Sequence, residues 1–161
     1  METLEKFQTD KGVTPLHVNP LIVQDHYEID YRHSYAQDSP FFLGLSKGEL
    51  LGSRCTICDY MYATPRSHCM ECGARTQWEQ LPTTGTIHSY TVCYYGGETF
   101  LKDTPYVLVL VEFQGVDTLF LSRLKGIPPE QVEIGLPVHP RFVNIPTFKV
   151  TDVWFEPLGR Q

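Results

Sequence analysis

The chain has 161 residues, 42% hydrophobic and 20% charged, with a formal net charge of −6 from 13 Lys and Arg against 19 Asp and Glu. That length suits one compact domain plus a small module and excludes two full-sized domains. No stretch approaches the roughly 20 consecutive apolar residues that a membrane-spanning helix needs, and an acidic chain without a run of basic residues is poorly suited to a phosphate backbone.

The opening stretch Met1–Asp10 is polar and acidic and does not read as a secretory signal, so a cytoplasmic location is expected. Residues 1–37 carry no clear period. Pro15, Pro20 and the polar string Gln24–Asp25–His26 read as an extended arm, in which Tyr27–Tyr31 alternates apolar and polar residues and can add a short strand to a partner. Residues 38–48 read as a short helix. Ser39 suits the N-cap, Pro40 the first helical position and Gly48 the C-terminus, with Phe41, Phe42 and Leu45 on one face. Gly44 weakens this helix, so packing must supply most of its stability.

From residue 49 to 83 two C-x2-C pairs dominate, Cys55 with Cys58 and Cys69 with Cys72. Two residues between thiols let both sulfurs reach one metal at about 2.3 Å while turn amides point at them. Gly73 permits the left-handed conformation that such a knuckle needs, and Asp59 matches it in the first knuckle. Leu50–Ser53, Tyr60–Ala63 and Gln77–Leu81 are the predicted strands of a zinc ribbon. Disulfides fit poorly with an odd cysteine count in a chain expected to be cytosolic, and neither pair sits at a helix start as a redox C-x-x-C does. Four Cys ligands leave no open position for water, so the zinc, one per chain, is structural.

After residue 84 the pattern changes to period two. Thr86–Tyr95, Tyr106–Phe113, Asp117–Leu124, Gly135–Asn144 and Val150–Phe155 are five predicted strands, which suits a small barrel over residues 84–161. Tyr106–Phe113 is apolar enough for burial on both faces. Gly96–Gly97 reads as a mobile hairpin tip, and Ile127–Val132 as a single helical turn. Strict alternation places Cys93 with Ile87, Ser89 and Thr91, and Tyr90, Tyr94 and His88 on the opposite side. The fold class is thus mainly β: arm, short helix, zinc ribbon and five-stranded barrel.

No catalytic set emerges. The histidines lack H-x-x-x-H and H-E-x-x-H spacing, and no G-x-S-x-G, Walker or G-x-G-x-x-G motif occurs. Cys93 has no base beside it and reads as an inert strand residue.

The order of features resembles a known family. Phe41–Phe42 and Leu45, the doubled C-x2-C, Gly85–Thr86, Tyr106–Val107, Gly135–Val138 and the closing Val153–Pro157 are similar to acyl-CoA-associated proteins of DUF35 type, a rubredoxin-like zinc ribbon followed by an OB-fold. The likeness spans roughly residues 38–158. It implies a non-catalytic accessory subunit of a thiolase-type acyl-CoA-processing complex, scaffolding a thiolase-fold or related partner in a hetero-oligomer and helping to hold or channel acyl-CoA. One member type is the small subunit of a benzoylsuccinyl-CoA thiolase-like complex, and the long arm suits such a partner-bound form. The family carries over no catalytic residue, only the four cysteines. If this chain contacts a coenzyme A thioester, the phosphates need cations, for which Arg54, Arg66, Arg123 and Lys125 are the candidates. The alternative is a nucleic-acid-binding zinc-ribbon and OB-fold module, and an enzyme relying on Cys93 or a histidine is a third reading.

Overall fold

The computed structural model describes residues 12–159; the acidic stretch Met1–Asp10 lies outside them. Two compact units divide the chain after Ser34.

The first unit contains a β-hairpin where an extended arm was expected. Strands β1 (Val13–Val18) and β2 (Leu21–Asp25) pair antiparallel around Asn19–Pro20, with a bulge between Pro15 and His17. Partners across an antiparallel pair share a face. The register Pro15–Val23 and Val18–Leu21 therefore makes one face apolar, while Thr14–Gln24 and His17–Ile22 make the other more polar. The bulge and two prolines break the sequence alternation, which is why no strand was predicted there. Tyr27–Tyr31 forms no strand.

The second unit opens with helix α1 (Ser39–Ser46), whose Phe41 and Leu45 are buried. Ser39 is not its N-cap: the hydroxyl donates to the carbonyl of Ala36, while Asp38 occupies the cap. Phe42 stacks on Tyr35 with ring centroids 3.8 Å apart. Gly48, at φ +76°, ends the helix as expected. Gly44 has a packing reason: a Cβ there would stand 3.0 Å from the Glu49 carbonyl oxygen.

Three short strands follow, β3 (Leu51–Cys55), β4 (Met61–Tyr62) and β5 (Thr76–Gln80), with β3 in the centre. The closed barrel comprises β6 (Gly85–Cys93), β7 (Tyr106–Glu112), β8 (Phe120–Leu124), β9 (Pro137–Phe142) and β10 (Val153–Pro157), in the order β10-β8-β7-β6-β9. β9 pairs with β10 to close it, and β10 with β8 is the parallel contact. Val109, Val111, Val138 and Phe155 fill the interior without measurable exposure. Leu50, Met61, Ala63 and Leu81 from the ribbon belong to the same core. Ribbon and barrel are thus packed as one body, and the Asp117 carboxylate and Thr118 hydroxyl accept the amides of Met61 and Ala63.

Three details differ from the alternation read in the sequence. In β6 the register slips between Ile87 and Ser89, making His88 the extra residue of a bulge. A bulge reverses the side-chain alternation beyond it. Ile87, Tyr90 and Val92 consequently lie opposite the buried valines of β7, whereas Ser89, Thr91 and Cys93 lie opposite Leu110, Leu108 and Tyr106. Cys93 therefore does not share a face with Ile87. Strand β7 is buried on one face only, with Tyr106, Leu108 and Leu110 half-buried on the other. The connection after β6 is not a bare hairpin tip, because a short helix α2 (Glu98–Leu101) begins directly after Gly97.

Candidate metal centre and placement of the candidate cations

Cys55 ends β3, and Cys58 follows in the turn towards β4; Cys69 and Cys72 form the second turn before β5. The four sulfurs all lie within 4.8 Å of one another. Cys55 and Cys72 sulfurs are 3.4 Å apart, and those of Cys58 and Cys69 3.5 Å. Four thiolates around a tetrahedral zinc at about 2.3 Å stand about 3.8 Å from each other, so the residues present fit that ion.

Both turns have the knuckle geometry. Asp59 (φ +64°) and Gly73 (φ +74°) adopt the left-handed conformation expected of them. The amides of Ile57 and Cys58 point at the Cys55 sulfur at 3.4 Å, and that of Glu71 at the Cys69 sulfur at 3.4 Å. Such N–H groups stabilise sulfur as thiolate, the form a metal takes. Cys69 is drawn down to about 6, first by the Tyr62 hydroxyl and then by the amides of Cys72 and Glu71. Cys55 is also lowered, by the amides of Cys58 and Ile57. Zinc held here would have every position taken by sulfur and would cross-link two turns without offering a site to water.

Tyr62 is the functional residue that sequence reasoning missed. Buried on β4, it places its hydroxyl 3.4 Å from the Cys69 sulfur and accepts the Met70 amide at 2.8 Å. The β3–β4 register sets Ser53 opposite Tyr62, and the loop after β4 returns Cys69 to its hydroxyl. His68 pairs with the neighbouring Ser67 hydroxyl, and the four-residue metal cluster consists of cysteines alone.

The four candidate cations do not converge. Arg54 makes a two-pronged pair with Glu79, at 2.7 and 2.9 Å, and also meets Asp59. Arg66 lies over the Tyr62 ring, its guanidinium carbon 5.6 Å from the centroid. Arg123 and Lys125, two residues apart, instead share one concavity on the barrel. Arg123 pairs with Asp103 at 2.7 Å, and the Lys125 ammonium sits 4.2 Å from the centre of the Trp154 ring. Among the described residues no helix is long and apolar enough to cross a membrane.

Comparison with known proteins matches two family models that lie end to end. The ChsH2 rubredoxin-like zinc ribbon domain matches residues 44–79, and the ChsH2 C-terminal OB-fold domain residues 78–143. A DUF35 domain-containing scaffold protein of Methanocaldococcus jannaschii is 29% identical over 60% of this chain and 69% of its own length. Another such scaffold protein, from Methanothermobacter thermautotrophicus, is 32% identical over 53% of this chain and 65% of its own. A probable enoyl-CoA hydratase alpha subunit of Thermomonospora curvata is 31% identical over 66% of this chain, which spans only 34% of that protein. Among solved structures, one described as an Ltp2-ChsH2(DUF35) aldolase superposes with a TM-score of 0.63 at 25% identity, over 79% of this chain and 98% of that one. A Sulfolobus solfataricus protein of the DUF35 family shares the fold, with a TM-score of 0.59 at 20% identity over 79% of this chain and 89% of that one.

Proposed function

The chain belongs to the DUF35-type family of zinc-ribbon and OB-fold proteins, and from that premise we propose that it is a non-catalytic accessory subunit of a thiolase-type acyl-CoA-processing complex. One structural zinc holds its ribbon, and its role is to scaffold the partner enzyme in a hetero-oligomer and help hold acyl-CoA.

The observation that carries this reading is the amino-terminal hairpin. Leu21 and Val23, on its apolar face, are 64% and 47% exposed. A two-stranded hairpin is marginal in water, and one with an apolar face needs cover to persist. The closed sulfur set agrees with a structural rather than a catalytic metal. The relatives described as scaffold proteins, as a hydratase subunit and as part of an aldolase point to work beside acyl-transforming enzymes. Of the four cations, Arg123 and Lys125 are the pair that a coenzyme A phosphate can reach together, since Arg54 is already held by two carboxylates.

The nucleic-acid alternative draws little from the geometry. Arg54 and Arg141 each pair with a carboxylate, and the bulge takes His88 out of the expected row of aromatic residues. Co-expression with neighbouring genes followed by native mass spectrometry tests the assignment. A stable hetero-oligomer containing a thiolase-fold chain, with one zinc per copy of this subunit, is the expected result. A zinc-bearing monomer that ignores every neighbour would overturn it.

A further inference from the structure

The concavity on the barrel combines an aromatic lining with two cations. About 300 Å³ in volume, it is walled by Phe100, Tyr106, Leu108 and Trp154, with Arg123 and Lys125 as its cations. The Trp154 indole N–H donates to Glu156 at 2.9 Å, which fixes the orientation of that wall. Small-molecule sites are mostly apolar concavities with a few placed polar groups, and this volume lies at the small end of their range.

Arg123 is held in the site from two sides. Its guanidinium carbon lies 5.0 Å from the centre of the Tyr106 ring and 5.7 Å from that of Phe100. One terminal nitrogen donates to the Asp103 carboxylate, while its Nε is enclosed with no acceptor among the described residues. Lys125 has no carboxylate at ion-pair distance among them. The groove's two cations thus have a single ion-paired carboxylate between them, the half-exposed Asp103 on Arg123, and it is carried by the 94–105 connection, which also supplies Phe100. An exposed ion pair of this kind is weak and readily exchanged for another anion.

We propose that this groove binds a compact organic anion carried on a flat apolar body, and that Asp103 is its built-in competitor. The ligand's anion takes over Arg123 and Lys125, its flat body lies against Tyr106 and Trp154, and Asp103 leaves with its loop. A cation held over aromatic faces attracts a flat ligand to the same walls. The volume is too small for a whole coenzyme A but admits a benzoate-sized aryl carboxylate or a single nucleotide end. Those are two sources of one chemistry. The nucleotide source rests on the accessory-subunit reading above, whereas the carboxylate source does not.

Calorimetric titration of the full zinc-loaded chain with benzoate and, separately, with adenosine 3′,5′-bisphosphate tests this, with amide and indole chemical shifts locating the contact. We expect one of the two probes to bind with shifts centred on Lys125 and Trp154. Asp103→Asn should tighten it about threefold or more, and Arg123→Gln weaken it about tenfold, the size of one charge-assisted bond. Arg54→Gln, a cation on the ribbon outside the groove, should leave it unchanged. Benzoate binding identifies a carboxylate site, and bisphosphate binding a nucleotide site. Binding of neither probe to the parent chain or to Asp103→Asn overturns the proposal, and equal affinity of Asp103→Asn and parent overturns the competition. Native mass spectrometry of Arg123→Gln with the neighbouring subunits separates the two readings, because assembly should persist when groove binding is lost.

Discussion

The Tyr62 hydroxyl stands 3.4 Å from the Cys69 sulfur while accepting the Met70 amide at 2.8 Å, so one buried phenol spans a strand of the ribbon and its second knuckle. With Cys69 as thiolate the phenol must donate to it. Groups that hold metal ligands in this way are worth about 10- to 100-fold in metal affinity. Tyr62→Phe should therefore fold and bind one zinc but lose it about tenfold faster to a competing chelator, followed by absorbance of the chelator complex. Zinc loss at the parent rate would show that the contact has no influence on the metal.

Zinc removal should open the knuckles and lower the stability of the body they are packed on. Cys55, Tyr62 and Cys69 form a small cluster of their own, but Met61 and Ala63 on either side of Tyr62 belong to the barrel's core. Metal binding and folding are coupled in such ribbons. Chelation, or Cys69→Ser, should lower the melting temperature and strip hydrogen-exchange protection from the amides of Cys55, Cys69 and Gly73. Val109 and Val138, deep in the barrel, should stay protected. A melting temperature indifferent to chelator would contradict a structural zinc.

What could be read in the sequence was what is encoded locally. Doubled C-x2-C spacing, Gly73 and Asp59 identify the metal centre because ligand spacing and backbone conformation are short-range properties. The five barrel strands were visible for the same reason, through period-two alternation. Long-range registers were not visible. The His88 bulge moves Cys93 away from Ile87 although no residue type announces it. Tyr62 reaches Cys69 through the fold of the loop that follows β4, and Asp103, in the 94–105 connection, reaches Arg123 on β8 across the intervening strand β7. The amino-terminal hairpin was hidden because Pro15 and Pro20 read as strand breakers, yet they sit at its bulge and its turn.

Asp152 is the buried acid of the second unit, only 2% exposed, and it holds the bend before β10. Its carboxylate accepts the Thr147 amide at 2.8 Å and the Thr147 hydroxyl. Burial alone would raise its pKa, but the bonds from Thr147 and from the amides of Lys149 and Phe148 outweigh this and hold the carboxyl below its ordinary range. A carboxyl depressed in the folded state stabilises at pH values above its unfolded pKa, and that stabilisation is lost as pH falls through the folded value. Asp152→Ala should cost about 2–3 kcal/mol at neutral pH, since hydrogen bonds to charged groups are worth that much. The gap between mutant and parent in urea midpoints should shrink as the pH is lowered below about 4. A gap that is constant down to acid pH would mean that the ionised form is not what stabilises the bend.

Gly52 lies in the middle of β3 where the ribbon meets the core, and its place in the packing makes a sharp test. A Cβ there would fall 2.5 Å from the Tyr62 carbonyl oxygen, 2.7 Å from a Leu81 methyl and 2.8 Å from the Met61 methyl. The two side-chain ends can swing aside, but the backbone oxygen moves only if β4 separates from β3. That movement would also displace Tyr62 from Cys69, so one methyl group should disturb packing and metal together. Overpacking of this kind typically costs about 1–3 kcal/mol, and Gly52→Ala should lie at the upper end with faster zinc release. Gly97→Ala supplies the control, because a Cβ there meets nothing within 4 Å and its φ of −61° suits alanine. It should cost no more than about 1 kcal/mol, the loss of a glycine helix cap, and leave zinc release at the parent rate. If both alanine variants melt and release zinc alike, the close approach of β4 to β3 at Gly52 is not what holds the metal end of the ribbon to the barrel.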